Sequence, residues 1–351
     1  MKVYNSELEL IENKQKESEV SNILDTEISF ATEEYGIDEQ ILRDRANSLA
    51  IVERKMSEKF VTQENNGVKQ KTKAPTTAAA FTGTTKQSFD GIKWDFETAI
   101  FITDNNNLHN VSHELFHALS EKTEITFDDT GIGYLKKGVS ILGYDKADNL
   151  VDSEYNAIGL NEGITELLAA KMDGIAPTAY KAQAYLADIM ISDKNNSLVK
   201  AYFSNEDKDV KKFFDEFEKR QNKVSAKELV NLSKFAVDEM NVSVLEGVLD
   251  YTLSYCNNMD ELKNERTRLL NIFTAIAKEP EIEFNDESFD IKAFFKDKML
   301  ARRDELTKEN SIDNVKRTIE NVRTSQVVEQ IQIAKQIVIG KDDRETEAER
   351  T

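Results

Sequence analysis

The segment 108–120, LHNVSHELFHALS, contains all three histidines of the chain. His113, Glu114 and His117 follow the order H-E-x-x-H, a spacing that lets a helix present a zinc site. Side chains four residues apart lie one above the other on a helix, so His113 and His117 can bind one ion without backbone strain. Glu114 is placed to take a proton from a metal-bound water. The segment therefore predicts a zinc-dependent hydrolytic site.

A catalytic zinc ion takes three protein ligands and keeps one position open for water. His109 does not qualify as the third ligand, because it would lie about 12 Å from His117 along a helix axis, at a rise of roughly 1.5 Å per residue. Cys256, the only cysteine, is isolated among predicted helical residues. The third ligand is therefore expected to be a carboxylate. The next amphipathic helix offers two, Glu162 and Glu166, four residues apart on one face.

Two segments together, HELFH (113–117) and NEGITE (161–166), resemble the gluzincins, the thermolysin-like clan of zinc metallopeptidases. The resemblance covers about residues 90–172 and is closest to small bacterial members. In this clan, H-E-x-x-H on one helix is completed by the glutamate of an N-E-x-x-x-[DE] motif on the next. The resemblance implies one zinc ion per chain, held by His113, His117 and Glu162. It also implies Glu114 as the general base and Glu166 as the residue that hydrogen-bonds and orients the first histidine.

The chain departs from the thermolysin pattern in two respects. The interval from His117 to Glu162 is longer than in compact members of the clan, and it is rich in glycine. In addition, no histidine remains for the downstream residue that donates a hydrogen bond to the transition state in thermolysin. A tyrosine is expected in that role. We predict Tyr155, with Tyr134 and Tyr144 as the alternatives.

The elements that position these motifs follow from hydrophobic periodicity. Residues 91–103 alternate between apolar and charged side chains and predict a half-buried strand at about 92–103, whose edge could pair with an extended peptide. The glycine-rich residues 131–145 predict a β-hairpin. In the H-E-x-x-H helix, an apolar stripe lies opposite the two motif histidines; it consists of Leu108, Val111, Leu115 and Leu119. The predicted fold is α+β and mostly α, with a small sheet packed on this helix and an α-helical C-terminal domain after it.

Changes in composition and pattern divide the chain. Thr, Gly, Asn and Lys dominate residues 62–90, which predicts weak order there. Amphipathic helical patterns continue almost without interruption from residue 176 to residue 340, and a last such helix is predicted at 314–340. The predicted units are an N-terminal helical segment (1–61), a linker or long loop (62–90), a zincin-like catalytic core (91–175), an α-helical domain (176–340) and a disordered charged tail (341–351).

Composition excludes several classes of partner. The formal net charge of −19 over 351 residues argues against binding to nucleic acid or to anionic membranes, because phosphate contacts need a basic surface. The N-terminus is acidic and polar, with no apolar signal segment, and no apolar run approaches the length of a membrane span. A single cysteine excludes an intrachain disulfide. The expected location is the cytoplasm, and the expected partner is a peptide or protein substrate.

Two functions from different classes fit these observations. The first is a zinc metallopeptidase, a hydrolase that uses a metal-activated water and Glu114 as general base. The second is a zinc-stabilised binding or regulatory protein without peptidase activity. In that case the long acidic helical C-terminal half would be the surface that binds a partner. A helical scaffold with an accidental motif is a third, weaker reading. The complete set of ligands and base favours the metallopeptidase.

Overall fold

The computed structural model describes residues 1–75, 78–104, 106–192, 194–234 and 238–309, together with Lys316 and Glu320. Within them the chain is a mixed α/β protein with a curled sheet and several helices. The strands are β1 (Lys2–Asn5), β2 (Ala50–Arg54), β3 (Phe60–Asn65), β4 (Val68–Lys73), β5 (Ala80–Phe89), β6 (Lys93–Thr103), β7 (Glu124–Thr126), β8 (Ile132–Lys137), β9 (Ser140–Asp145), β10 (Leu150–Tyr155), β11 (Glu239–Met240) and β12 (Glu283–Phe284). The helices are α1 (Lys14–Tyr35), α2 (Glu39–Ser48), α3 (Leu108–Ser120), α4 (Ile158–Asp173), α5 (Lys181–Met190), α6 (Ser197–Phe203), α7 (Asp207–Arg220), α8 (Ala226–Val230), α9 (Val242–Leu253) and α10 (Met259–Ile276), and residues 291–309 are also helical.

The largest sheet has the strand order β1-β2-β6-β5-β3-β4, with β7 pairing with one end of β6. The strands β1, β2 and β6 are parallel to one another, and β5 is antiparallel to β6. The sheet is therefore larger than the small one that the sequence predicts. β8, β9 and β10 form a separate antiparallel sheet. Its first two strands confirm the hairpin predicted at 131–145.

The strand predicted at 92–103 is present as β6, and it lies inside the sheet. Ile100 and Ile102 belong to the main core, which also contains residues of α1 and α3. Ala99 and Phe101 belong to a second apolar cluster. Burial of consecutive side chains explains why this half of the strand is continuously apolar rather than alternating. Because β2 and β5 pair with the two edges of β6, the predicted free edge for peptide pairing is not on this strand.

The prediction of a linker or long loop at residues 62–90 is wrong. This stretch contains most of β3 and the whole of β4 and β5. The Asn66-Gly67 dipeptide, which contributes to the loop-like composition, is a two-residue hairpin turn in which both residues have positive φ, 49° and 78°. Such a turn matches the twist of the two strands that it joins. The threonines favour a strand because their branched side chains fit a pleated surface.

The N-terminal segment 1–61 is also less helical than predicted. It contains α1 and α2 as expected, but β1, β2 and the first residues of β3 lie there too. The short parallel pair of β1 and β2 joins the N-terminus to the central sheet through four residue pairs, from Lys2↔Ala50 to Asn5↔Glu53. The sequence between Leu49 and Val52 is short and apolar, so periodicity alone does not separate a strand from a helix end there.

The C-terminal half is mostly helical among the described residues, with only the two-residue strands β11 and β12 breaking the series from α5 to residue 309. One continuous apolar cluster extends from Val3 to Leu306. The boundary at residues 175 and 176 stays a prediction. The predicted helix at 314–340 and the predicted tail at 341–351 lie outside the described residues, apart from Lys316 and Glu320. No described helix is long and apolar enough to cross a membrane.

Glu27 of α1 is fully buried behind α3, and this predicts a pH-dependent stability. Neither carboxyl oxygen makes a well-formed hydrogen bond, although the Ser112 hydroxyl is close enough to offset part of the cost. Burial raises the pKa of Glu27 well above its ordinary value. The folded state therefore retains a proton that the unfolded state releases above about pH 4.3, so this group destabilises the fold increasingly as pH rises.

We expect Glu27→Gln to gain stability relative to the wild type between pH 5 and pH 7, by up to about 1.4 kcal/mol per pH unit. Urea unfolding at several pH values measures the difference. Glu33→Gln makes the same change at an exposed position of the same helix and is the matched control, for which little change is expected. An advantage for Glu27→Gln that does not grow with pH would contradict a protonated Glu27.

Candidate metal centre

The helix α3 carries the H-E-x-x-H motif between the sheet and the helical half. It begins after Asn107, whose side chain accepts a hydrogen bond from the amide of Asn110 and caps the helix. The predicted apolar stripe is buried at three of its four positions, Val111, Leu115 and Leu119. Leu108 is 71% exposed, because it lies in the first turn, beyond the edge of the core. The stripe holds α3 in place, which fixes the direction of the motif side chains on its other side.

The helix α4 carries the N-E-G-I-T-E segment and is buried along almost its whole length. Asn161 joins it to the β8–β9 turn: its side-chain oxygen accepts from the Val139 amide, at 2.7 Å, and its side-chain nitrogen donates to the Lys137 carbonyl. The glycine-rich excursion between the two motifs is therefore tied to the helix one residue before Glu162. This contact gives the asparagine of the motif a structural role.

His113, His117 and Glu162 converge on one point between α3 and α4. The Nε2 atoms of His113 and His117 each lie 3.2 Å from Oε2 of Glu162. Ligand atoms at about 2.0–2.1 Å from a tetrahedral ion would be separated by roughly 3.3 Å, so the spacing fits a metal ion. Among the described residues, this is the only group of three or more His, Cys, Asp or Glu side chains whose ligand atoms lie within 4.8 Å of one another. The cluster can hold a metal ion.

The electrostatics of the cluster favour a positive charge. Burial lowers the pKa of the His113 imidazole, but hydrogen bonds with Glu162 and Glu166 outweigh burial and raise that pKa to about 9. Burial likewise raises the pKa of Glu162, and its contacts with His113 and His117 reverse this and hold the pKa well below its ordinary range. The carboxylate is therefore ionised, and in the absence of a metal ion a proton on His113 supplies the compensating charge.

Glu166 makes the contact with His113 that the resemblance implied. Its Oε2 atom lies 3.1 Å from Nδ1 of His113, while Oε1 accepts hydrogen bonds from the amides of Thr178 and Ala179. Both oxygens also lie within 3.3 Å of Nε2 of His109. A carboxylate fixed in this way leaves Nε2 of His113 directed toward Glu162, and it holds the imidazole in one orientation.

His109 lies outside the cluster of His113, His117 and Glu162, and its imidazole contacts two carboxylates of α4. Besides its contact with Glu166, its Nδ1 atom lies 2.7 Å from Oδ2 of Asp173 at the end of α4. His109 therefore links α3 to the middle and to the C-terminal end of α4. The periodicity of the motif placed His109 on the correct side of the helix, but it did not indicate Asp173 as its partner.

His117 is positioned by a residue that sequence reasoning missed. Its Nδ1 atom lies 3.3 Å from the hydroxyl of Thr165, the residue before Glu166. The same hydroxyl is 2.5 Å from the hydroxyl of Tyr202, which also donates to the Phe116 carbonyl. Tyr202 is fully buried, so this chain of contacts is part of the core. Each motif histidine thus has its own orienting partner from α4.

Glu114 faces a cavity of about 500 Å³ that it shares with the three ligand residues. The hydroxyl of Thr82 on β5 lies 2.8 Å from Oε2 of Glu114 and 2.7 Å from the Glu114 carbonyl oxygen. Residues 78–82 line the opposite side of the same cavity. Glu114 is therefore held by a strand from the stretch that the sequence predicts as a loop.

None of the three tyrosines predicted as hydrogen-bond donor lines this cavity. Tyr155 ends β10 and stacks on Phe214 of α7, with ring centroids 4.3 Å apart, because the excursion leads it away from the cleft and into the helical half. The Tyr134 hydroxyl donates to Asp152 within the three-stranded sheet, and Tyr144 packs against a small cluster around Trp94. The prediction of Tyr155 as a site residue is therefore wrong.

Tyr180 is the tyrosine that lines the cavity, together with His113, Glu114 and Glu162. Its ring lies 6.0 Å from that of His113, with an interplanar angle of 22°. Burial and the neighbouring carboxylates raise the pKa of Tyr180 to about 12, so its hydroxyl keeps its proton. It follows the Thr178–Ala179 loop that binds Glu166. Its position soon after the NEGITE segment is the signal in the sequence that could have indicated it.

The arrangement brings together a cation-binding cluster, an ionisable carboxylate and a protonated hydroxyl around one open cavity. Such a combination suits the hydrolysis of a carbonyl compound, because each step of proton transfer has a group on the cavity wall.

Comparisons of the chain with protein-family models, with curated proteins and with solved structures found no match.

Gly163 lies in the middle of α4 because no side chain fits there, and this predicts a loss of stability on substitution. A Cβ atom at this position would lie 2.5 Å from the backbone carbon of Gln183 on α5. We expect Gly163→Ala to destabilise the protein by about 1–3 kcal/mol, the usual cost of overpacking. In an open helix the same change would stabilise it by roughly 1 kcal/mol. Thermal unfolding gives the sign, and a gain in stability would contradict the close contact of α4 with α5.

Proposed function

We propose that the protein is a zinc-dependent metallopeptidase. The observation that carries this proposal is that the imidazole nitrogens of His113 and His117 each lie 3.2 Å from one carboxylate oxygen of Glu162, with Glu114 on the same cavity. Two histidines and one glutamate are the ligand set of thermolysin-type catalytic zinc. Cations that prefer oxygen ligands fit this set less well. When bound at this cluster, zinc would lower the pKa of a water molecule and polarise a carbonyl group.

Glu114 is the general base in the proposed reaction. Its carboxylate takes a proton from the attacking water and returns it to the nitrogen of the departing amine. The hydrogen bond from Thr82 occupies Oε2, which leaves Oε1 to face the substrate. Because the single hydroxyl proton of Thr82 is shared between Oε2 and the carbonyl oxygen of Glu114, the side chain is held against its own backbone. Fixing the base in this way lowers the entropy cost of proton transfer.

Tyr180 is the proposed donor to the oxygen that becomes negatively charged when water attacks the peptide carbonyl. Its hydroxyl stays protonated near neutral pH, as its pKa of about 12 requires. A donor that is already in place before the reaction stabilises developing charge without further reorganisation. This role replaces the one that the sequence predicted for Tyr155.

Removing the Tyr180 hydroxyl is expected to slow catalysis and to leave metal binding intact. Tyr180→Phe should lower kcat by about 10²–10³-fold, the usual effect of losing one such donor, with a smaller change in KM. Steady-state hydrolysis of a fluorogenic peptide measures both constants. Tyr155→Phe is the matched control, since that ring packs on Phe214, and it should keep near-normal activity. Equal effects of the two substitutions would contradict the role of Tyr180.

At residues 80–82, one edge of β5 pairs with no described strand, and this supports a peptide as the substrate. Thr103 donates its amide to the Ala79 carbonyl, so the backbone groups of Ala80 and Thr82 point away from β6. In the part of the chain that the structure describes, β3 pairs with β5 only at residues 86 and 87. An extended peptide could therefore pair with residues 80–82 and lie along the cavity wall.

A direct test is a peptide-library digest with the zinc-loaded protein, analysed by mass spectrometry. New termini should appear with wild-type protein, and they should disappear when a chelator removes the metal and return when zinc is restored. Zinc-loaded protein that cleaves no member of the library would reject peptidase activity. Zinc content, measured in parallel by elemental analysis, separates a missing metal from a missing activity.

A further inference from the structure

A second cavity lies in the helical half, away from the residues of the metal centre. It is a groove of about 1010 Å³ between α10 and the helical residues 291–309, which we call the α10 groove. Its lining begins at Met259 and reaches Ala277 on one side, and runs from Ile291 to Arg303 on the other. It shares no residue with the metal-centre cavity. The proposed peptidase reaction makes no use of it.

The floor of the α10 groove is apolar. Phe273 stacks on Phe295 with ring centroids 4.7 Å apart, and this contact joins the two helices. Above the floor, three large apolar side chains remain exposed: Met259 at 42%, Leu270 at 43% and Leu300 at 37%. Exposed apolar side chains that are grouped in a concave surface are typical of a binding site. The described residues leave this apolar face exposed.

The rims of the groove are basic, although the chain as a whole has a net charge of −19. The lining residues include five that are basic and one that is acidic, Asp260. In the described part of the chain, four of the basic side chains form no salt bridge with a carboxylate: Lys263, Arg266, Lys292 and Lys296. The fifth, Arg303, pairs with Asp304. Unpaired cations on both sides of an apolar floor are complementary to an acidic partner.

The shape of the groove fits a helix. The α10 side presents residues at intervals of three and four, and the opposite side presents residues at intervals of four, so both walls are single helical faces. An 18-residue wall such as α10 is about 27 Å long at roughly 1.5 Å per residue. A third helix of about five turns could lie between the two. Apolar side chains at i, i+3, i+4 and i+7 would meet the floor, and acidic ones beside them would meet the rims.

We propose that the α10 groove binds an acidic amphipathic helix of a partner protein. The chain's own residues 311–340 are a poorer occupant, because they carry four basic residues against three acidic ones and would bring no net negative charge to the rims. A second copy of the groove is also unfavourable, since it would place two basic rims together. Charge complementarity therefore selects a partner that is apolar on one side and acidic on its flanks.

The test uses full-length protein and two synthetic 18-residue helical peptides labelled with fluorescein. Both have leucine at i, i+3, i+4 and i+7 positions; one has glutamate on its flanks and the other has lysine. Fluorescence anisotropy should show binding of the glutamate peptide, at least tenfold tighter than the lysine peptide, with an affinity that weakens as salt rises. Equal binding of both peptides, or of neither, would overturn the proposal.

Substitutions in the groove locate the binding site. Reversing the four unpaired cations to glutamate should weaken binding of the glutamate peptide at least tenfold. The matched control reverses four lysines on α7 and α8, with the same change in net charge, and should bind normally: Lys208, Lys212, Lys219 and Lys227. Leu270→Asn with Leu300→Asn removes exposed apolar surface and should also weaken binding at least tenfold. Normal binding in either groove variant would overturn the proposal, and circular dichroism checks that each is folded.

Three further outcomes would assign the groove to another occupant. The protein could fail to bind the glutamate peptide and instead float with phosphatidylserine vesicles. If charge reversal abolished this flotation, the result would indicate a membrane surface. A dimer in sedimentation that Leu270→Asn with Leu300→Asn dissociates would indicate a second copy. Equal binding of both peptides that appears only after Ile319→Asn with Val322→Asn would indicate the chain's own C-terminal segment. Each of these results overturns the acidic helix as the occupant.

Discussion

Glu114→Gln is expected to lower peptide hydrolysis by about 10²–10⁴-fold, the range that a general base contributes, while one zinc ion per chain stays bound. Glutamine has nearly the same shape as glutamate and can still accept the hydrogen bond from Thr82, but it cannot take a proton from water. The ligand residues His113, His117 and Glu162 are untouched. The loss should therefore appear in kcat and not in zinc content.

Glu121→Gln is the matched control for this prediction. Glu121 lines the same cavity and receives the same change of charge, but it follows the end of α3 and belongs to no motif. It should keep most of the activity. Full activity in Glu114→Gln would reject the base, and loss of zinc in that variant would show that Glu114 acts on the structure. If zinc raises the melting temperature and Glu114→Gln changes no measured function, the alternative of a zinc-stabilised binding protein gains support.

The sequence predicts the centre of the site well because local geometry determines it. Two histidines four residues apart must share a helix face once the helix forms, and the distance argument against His109 as a ligand depends only on the helical rise. Glu162 and Glu166 likewise share one face of α4. The structure brings Glu162 to within 3.2 Å of both histidine Nε2 atoms, although the pairing of α3 with α4 depends on tertiary packing.

The sequence predicts the surroundings of the site poorly because these come from distant parts of the chain. Thr82, which holds Glu114, lies on β5, whose threonines and single glycine are part of the composition that predicts a loop. Tyr180 belongs to no periodic pattern that distinguishes it from other tyrosines. It is the residue before α5 and has a left-handed φ of 47°. Tyr202 reaches Thr165 across 37 residues of sequence. In each case packing between elements decides which side chain faces the cavity.

The error at residues 62–90 has a physical origin. Composition shows how polar a segment is, whereas strand formation depends on which neighbours complete its hydrogen bonds. β5 pairs along most of its length with β6, the apolar strand that follows it, and a polar sequence can therefore be held in the sheet. The Asn66-Gly67 turn was the available local signal, since this dipeptide between two β-like runs indicates a hairpin.

Substitution of a ligand histidine is expected to abolish zinc binding, and the three histidines provide a matched series of variants for this test. His113→Ala and His117→Ala each remove one of three ligands, and each should reduce zinc content from about one per chain to near zero after dialysis. His109→Ala changes the same residue type on the same helix, but its imidazole contacts Glu166 and Asp173 instead of the ligand cluster. It should retain zinc. Elemental analysis and thermal unfolding, with and without zinc, measure the series.

The size of each effect should depend on whether the residue is a ligand, contacts a ligand or lies beyond that contact. Zinc at 1,000 times its Kd would stabilise the wild type by about 4 kcal/mol, and this gain should be absent in His113→Ala and His117→Ala. Glu166→Gln keeps all three ligands but weakens the orientation of His113, so its zinc affinity should fall by about 10–100-fold, an intermediate effect. His109→Ala should fall less than Glu166→Gln, because it acts on His113 only through that carboxylate. A loss of zinc in His109→Ala as complete as in His113→Ala would contradict this ligand set. It would indicate that His109 is itself a ligand, and no single ion can bind residues 109, 113 and 117 of one helix.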